Sequence, residues 1–131
     1  MRLEDFFKET YKVLLAEQQK QNFGFGITMM DNRPRIICND GFSMSVQGSI
    51  HNYCEPREYV EWYESLEIGF PSDDISLKDY CDDSDIYGYV PVEMIQDIID
   101  KHSGIDVFKT LSEEKWNSIT LLVTDSHIFI N

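Results

Sequence analysis

The alternation of apolar and polar residues predicts a β-hairpin near the middle of the chain. Asn39, Asp40 and Gly41 tolerate the positive φ angles that tight hairpin turns require. A short apolar strand at residues 35–38 precedes this turn. After it, apolar and polar side chains alternate with the period of two of a half-buried strand, in the order Phe42, Ser43, Met44, Ser45, Val46 and Gln47. With a further strand at about 25–30, these segments predict a central antiparallel meander over about 24–48.

Two amphipathic helices are predicted to pack on this meander, because a lone meander buries too little apolar surface. The first runs from about Leu3 to Gln21, and its apolar face repeats at the helical period: Leu3, Phe6, Phe7, Tyr11, Leu14 and Leu15. The second covers about 91–102, where Pro91 suits a first helical turn and Gly104 suits a helix end.

The rest of the chain predicts shorter elements. Strands are expected at 65–70 and 86–90. Residues 48–65 are predicted to form a loop, in which 57–63 could form one helical turn, and a further helical turn could lie in the acidic loop 73–85. Ser112 begins a short helix that ends near Asn117, and two C-terminal strands follow at 119–123 and 127–130. The predicted class is α+β, a mostly antiparallel sheet with helices packed on it, in a single domain of 131 residues.

Charge is distributed unevenly in a chain whose net charge is −13. Residues 1–54 are balanced, whereas residues 55–100 hold fourteen acids and only two bases, Arg57 and Lys78. Binding to phosphate backbones needs the opposite sign of charge, so direct binding of nucleic acid is disfavoured. A partner with a basic surface, or increased solubility alone, is compatible with this pattern.

Composition predicts a soluble, cytosolic protein that does not enter membranes. Apolar residues make up 42% of the chain, but no apolar run approaches the roughly 18 residues that span a bilayer. Glu4 and Asp5 stand where a signal peptide would carry bases. Cys38, Cys54 and Cys81 follow no disulfide framework, and we expect them to be free thiols.

Candidate chemistry is sparse, and we predict no catalytic, cofactor or metal site. Aligned from Asp83, an EF-hand loop would need carboxylates at Tyr87 and Met94, so the match fails. The cysteines and histidines lack zinc-finger spacing, and no Cys/His nucleophile, P-loop or dinucleotide fingerprint is present.

Two surfaces are candidates for binding. The first is acidic and aromatic, and we predict that it binds a partner through Asp73, Asp74, Asp79, Asp82, Asp83, Asp85, Trp62, Tyr80 and Tyr87. Tyr63 and Tyr89 belong to the same aromatic group, whose members could instead be core residues. The second is the polar face of the central strand with the loop after it, and its candidates for a ligand are Ser43, Ser45, Gln47, Tyr53 and Arg57.

Several segments resemble a family of small tailed-phage accessory proteins that have no settled biochemical role. They are residues 37–47 (ICNDGFSMSVQ), 53–57 (YCEPR), 66–72 (LEIGFPS), 86–93 (IYGYVPVE) and 102–105 (HSGI). The resemblance implies phage origin and action in the cytoplasm of an infected bacterium. It carries no known catalytic residues.

The leading hypothesis is therefore a non-enzymatic phage protein that inhibits a host or anti-phage defence protein through the acidic region 55–100, as some nucleic-acid mimics do. One alternative is a small-ligand-binding protein that sequesters a nucleotide-like signal. Another is a metal-dependent hydrolase built from the aspartates. The sequence leaves the oligomeric state open, a homodimer included.

Overall fold

A four-stranded antiparallel sheet lies at the centre of the computed structural model, which describes residues 1–21, 32–82 and 84–130. Its strands are β1 (Ile36–Ile37), β2 (Ser43–Gln47), β3 (Ser65–Gly69) and β4 (Ile86–Pro91), and they lie side by side in chain order. With the helices described below, the sheet confirms the predicted α+β class. The strand predicted at about 25–30 lies outside the described residues.

The hairpin between β1 and β2 forms where the sequence predicts it. Cys38 N donates to Phe42 O at 2.7 Å, and Gly41 N donates to Cys38 O at 2.9 Å. Gly41 has φ +95°, a value that costs glycine little and other residues more. The turn therefore follows from local sequence alone.

One face of the sheet is buried. Val46 pairs with Ile68 and Leu66 pairs with Val90, so their side chains lie on the same side. Helix α1 (Leu3–Gln21) and helix α2 (Val92–Lys101) cover this face and confirm the two predicted helices. The side chains that exclude water between the layers include Phe6, Phe7, Met44, Val46, Leu66, Ile68, Val90, Ile95 and Ile99.

Polar contacts fix α1 against the rest of the fold. Leu3 N donates to Gln96 Oε1 on α2 at 2.8 Å. Arg33, only 6% exposed, donates from Nε to Thr10 Oγ1 at 2.9 Å, and its guanidinium lies 4.0 Å from the centre of the Phe7 ring. Burial lowers the pKa of Arg33 to about 10, so the group is still charged at neutral pH. Neutral acceptors and an aromatic face thus solvate a buried cation.

The prediction of two C-terminal strands is wrong, because residues 117–130 form helix α4 (Asn117–Ile130). Trp116 and Ile119 are buried three residues apart, as on one face of a helix, whereas Leu121 and Leu122 are mainly exposed. The β-branched composition of this segment favoured strands locally. The helix is formed because it lets both Trp116 and Ile119 pack into the core, and this packing outweighs the local preference for a strand.

The shorter predicted turns have mixed outcomes. Residues 48–64 form a loop, as predicted, and the helical turn considered at 57–63 is not formed. Tyr63 is buried there, and its hydroxyl donates to Glu58 O at 2.6 Å and accepts from Val60 N at 3.2 Å, which closes the segment as a loop. The acidic loop contains one 3₁₀ turn at Lys78–Tyr80, and the helix expected from Ser112 is a 3₁₀ turn at Glu114–Trp116. A short helix α3 (Val107–Thr110), which we did not predict, precedes it.

Candidate functional site

A cleft of about 810 Å³ lies on the face of the sheet opposite to α1 and α2, beside β3 and β4. Ser45, Gly69 and Ile86 are cross-strand neighbours on this outer face. The cleft has the size of many ligand sites. Its lining combines three tyrosines, three carboxylates and small residues: Tyr53, Glu67, Asp79, Tyr80, Cys81, Asp82, Ser84, Ile86, Gly88 and Tyr89.

The loop after β2 forms one wall of the cleft, because hydrogen bonds to the carboxylate of Glu67 attach it to β3. Glu67 Oε2 accepts from Asn52 Nδ2 at 2.8 Å, and its Oε1 accepts from Tyr53 N at 3.1 Å. Ser49 Oγ donates to Asn52 Oδ1 at 2.6 Å and completes the loop. The carboxylate of Glu67 is therefore occupied by the protein itself, and it positions Tyr53.

Tyr53 and Tyr89 stand side by side at the rim. Their ring centres are 5.9 Å apart with the planes tilted by 45°, and the two residues are 48% and 44% exposed. Gly88 allows this approach, because a Cβ atom there would lie 2.9 Å from Tyr53 Cβ. Tyr89 has φ +55° where the register between β3 and β4 shifts, and its N donates to Tyr53 O at 3.0 Å. This irregular edge of the sheet presents both rings to solvent.

The opposite wall comes from the 3₁₀ turn and the residues after it. Tyr80 fixes the turn to α2, since its hydroxyl donates to Met94 Sδ at 3.5 Å. Cys81 pairs with Tyr87 in an isolated antiparallel bridge, and its thiol donates to Ser84 O at 2.6 Å. Asp79 and Asp82 remain exposed on this wall.

The other predicted partner-binding residues are divided between this region and the far side of the sheet. Burial is the main cause that raises the pKa of Tyr87, and the charges of Asp74 and Asp85 add to it, so these groups are neighbours. Asp73 is exposed in the adjoining turn, where its Oδ1 accepts from Asp74 N. Trp62 instead packs edge-on against Phe7 of α1, with ring centres 5.8 Å apart. Asp83 lies outside the described residues.

The predicted ligand-binding residues are mostly engaged in internal contacts. Arg35 donates from Nε to Ser43 Oγ at 2.9 Å and from Nη2 to the carbonyl oxygen of Phe70. Gln47, expected to be exposed, is buried, and it exchanges hydrogen bonds with the backbone of Arg33. The expectation of an exposed amide is wrong because Arg33 brings its loop over the end of β2.

Ser45 and Arg57 complete the set of predicted ligand-binding residues. Ser45 is half-buried, and its hydroxyl accepts from Gln47 Nε2 at 3.1 Å. Arg57 is exposed, and its guanidinium lies 5.4 Å from the centre of the Tyr53 ring. It does not line the cleft. Among the described residues, no carboxylate forms an ion pair with Arg57.

All three cysteines are free, as predicted. Cys38 and Cys54 are buried, and burial is the main cause that raises the pKa of both thiols, that of Cys38 to about 11. Within the described ranges, no group of three or more His, Cys, Asp or Glu side chains is arranged to hold a metal ion. No helix there is both long and apolar enough to cross a membrane.

No sequence pattern places Glu67 or Gly88 in a site. Glu67 was one carboxylate among many, and its role depends on a loop that returns to β3. The sequence predicts only that Gly88 lies in a strand. The structure shows that the absence of a side chain at Gly88 lets Tyr53 approach β4. Tyr89 belongs to the aromatic group named above, and a glycine inside a strand, here Gly88, is a signal for the bulge beside it.

Comparisons with known protein families, with curated proteins and with solved structures found no match to this chain. The geometry of the cleft and the distribution of charge are therefore the grounds for a functional proposal.

Proposed function

We propose that this protein binds a partner with a basic surface through the acidic surface formed by residues 55–100, and that binding inhibits the partner. The observation that supports this most is the exposure of the carboxylates. Of the thirteen that the structure describes in this range, twelve are exposed and Glu67 is half-buried. A surface of this kind attracts cations and steers a basic protein towards it.

Few internal cations balance this surface. The ion pairs Lys8–Glu4, Lys12–Glu9 and His102–Asp40 use no carboxylate from residues 55–100. Among the described residues, these carboxylates thus have no internal cation as an ion-pair partner, although Glu67 accepts hydrogen bonds from Asn52 and Tyr53. Their mutual repulsion costs stability, and a bound basic surface would relieve that cost.

The resemblance to phage accessory proteins suggests which kind of partner the protein binds. The similar segments include the loop that carries Tyr53, β3 and β4, which contribute Tyr53, Glu67, Ile86, Gly88 and Tyr89 to the cleft. If the protein acts in an infected bacterium, a host or anti-phage defence protein with a basic surface is the expected partner. A surface lined with carboxylates could replace the phosphates that such a partner binds, as a nucleic-acid mimic.

Sequestration of a nucleotide-like signal has less support. Asp79 and Asp82 on the cleft wall would repel phosphate groups. Arg33 and Arg35, which could attract phosphate, are bound to the protein itself.

The experiment compares capture of proteins from bacterial cytosol by three forms of the purified chain. These are the native chain, the triple variant Asp79→Asn/Asp82→Asn/Asp85→Asn, and the control Glu17→Gln/Glu113→Gln/Glu114→Gln. Both variants lose three negative charges, but only the first loses them at the proposed surface.

We expect the native chain and the control to capture the same protein and to inhibit its activity, and the aspartate variant to bind it much more weakly. The difference should shrink near 1 M salt, where the Debye length is roughly 3 Å. Equal capture by all three forms, independent of salt, would refute the proposal.

A further inference from the structure

We infer that the cleft takes an arginine side chain of the basic partner, between the rings of Tyr53 and Tyr89 and the carboxylates of Asp79 and Asp82. The inference rests on the proposed function and adds which group of the partner is recognised. It draws on three features of the cleft: its exposed rings, its free carboxylates and its fixed geometry.

The rings are suited to a planar cation. A guanidinium that lies over an aromatic face is attracted by the negative face of the ring, and Tyr is among the better partners. Tyr53 and Tyr89 are about half exposed although they line a cleft, so each keeps ring surface for a ligand. Tyr80 adds a third ring in the wall.

The protein already uses this contact twice. The guanidinium of Arg57 lies 5.4 Å from the centre of the Tyr53 ring, outside the residues that line the cleft. The guanidinium of Arg33 lies 4.0 Å from the Phe7 ring centre in the core. Arg57 thus shows that the Tyr53 ring accepts a guanidinium.

The carboxylates favour arginine over lysine. Asp79 and Asp82 are exposed, and neither has a described hydrogen-bond or ion-pair partner for its side chain, whereas both oxygens of Glu67 are occupied. A guanidinium can donate two parallel hydrogen bonds to one carboxylate while its plane stacks on a ring. An ammonium group offers a point charge without this planar match.

The geometry of the cleft is set before a ligand arrives. Glu67 fixes the backbone at Tyr53, the bulge fixes Tyr89, and Met94 fixes Tyr80. The backbone that carries the three rings is then already ordered, which lowers the entropic cost of binding a matching group.

The test is a nuclear magnetic resonance titration of the full chain with three capped peptides. They are acetyl-Gly-Arg-Gly-amide, the same peptide with lysine, and the same peptide with citrulline, which keeps the planar shape of arginine without its charge. The variant Tyr89→Gly removes one ring and keeps the left-handed backbone that glycine adopts easily. Tyr89→Phe is the matched control, because it keeps the ring.

We expect the arginine peptide to cause saturable shifts of the backbone amides of Cys81, Gly88 and Tyr89. The lysine peptide should bind more weakly, and citrulline should cause no shift at the same concentrations. Tyr89→Gly should weaken arginine binding about tenfold, and Tyr89→Phe should leave it unchanged.

Shifts that are spread over the backbone amides of residues 55–100, equal for arginine and lysine and unchanged in Tyr89→Gly, would overturn the inference. That result would leave the proposed function intact, because attraction by the whole surface needs no specific cleft. The proposed function would be refuted by a different experiment, the capture of proteins from bacterial cytosol, if capture did not depend on the aspartates or on salt.

Discussion

Single side chains join the hairpin turn to the end of α2. Asp40 Oδ2 lies 2.7 Å from His102 Nδ1, and the ring of His102 stacks on Phe42 with ring centres 3.9 Å apart. Asn39 N donates to Gly104 O at 2.9 Å, and its side chain donates to Ser103 O at 2.6 Å. The turn residues therefore satisfy backbone groups at the end of a helix that lies more than sixty positions away.

This junction predicts that stability depends on the ionisation of Asp40. Hydrogen bonds, first from Phe42 N and then from His102, lower the pKa of Asp40 below its usual value of 3.8. The group thus stabilises the fold above that usual value, and the contribution is lost as the pH falls through the lower, folded-state pKa. We expect Asp40→Asn to lower the melting temperature at pH 7, and the difference from the native chain to shrink below about pH 4.

Thermal unfolding between pH 2.5 and 7 measures this difference. Asp97→Asn is the control, since Asp97 is an exposed carboxylate on α2 without a described hydrogen bond or ion pair. A difference for Asp40→Asn that is the same at every pH would contradict the proposed origin of the effect.

At the scale of secondary-structure elements, α4 shows how packing overrides local preference. Isoleucine, threonine, leucine and valine at 119–123 alternate in no consistent way with polar residues, and their composition suits a strand. The helix places Ile119 in the core with Trp116 and turns Leu121 outwards, 63% exposed. A strand would instead place Ile119 and Leu121 on the same face.

Two substitutions in α4 distinguish these arrangements. Ile119→Ala should destabilise the chain by about 2–4 kcal/mol, because Ile119 is buried. Leu121→Gln should change the free energy of unfolding by no more than about 0.5 kcal/mol, because its side chain is exposed and glutamine favours helices. Urea unfolding of both variants gives these values. Similar losses at the two positions would indicate a strand.

The molecule as a whole has its charge concentrated in one part of the chain. Residues 55–100 contain fourteen of its twenty-four acids, whereas residues 1–21 contain four acids and four bases. Exposed carboxylates that lie close together repel each other and oppose compaction. The same feature that would attract a basic partner should therefore make the isolated protein sensitive to salt.

We expect the melting temperature of the native chain to rise by several degrees between about 0.01 M and about 1 M sodium chloride, as the Debye length falls from roughly 30 Å to roughly 3 Å. The variant Asp79→Asn/Asp82→Asn/Asp85→Asn should melt higher at low salt and show a smaller rise. Scanning calorimetry measures both. If the melting temperature rose equally with salt in the native chain and the variant, Asp79, Asp82 and Asp85 would not be the source of the repulsion.

Local chemistry is enough to predict several elements of this protein. The Asn39–Gly41 turn, the alternation along β2 and the helical period of α1 each follow from a few neighbouring residues, and the structure confirms them. The asymmetry of charge is likewise a property of composition. These features can be predicted without knowing which residues pack against them in the folded chain.

Other features depend on contacts between residues that are far apart in the chain. Gln47 is buried because Arg33 meets it, residues 117–130 are helical because Trp116 and Ile119 enter the core, and Glu67 supports the cleft because a distant loop folds onto it. Each contact offsets a local preference worth about 1 kcal/mol or less per residue. Burial in the core stabilises by about 1.5–3 kcal/mol for each large apolar side chain, so packing prevails.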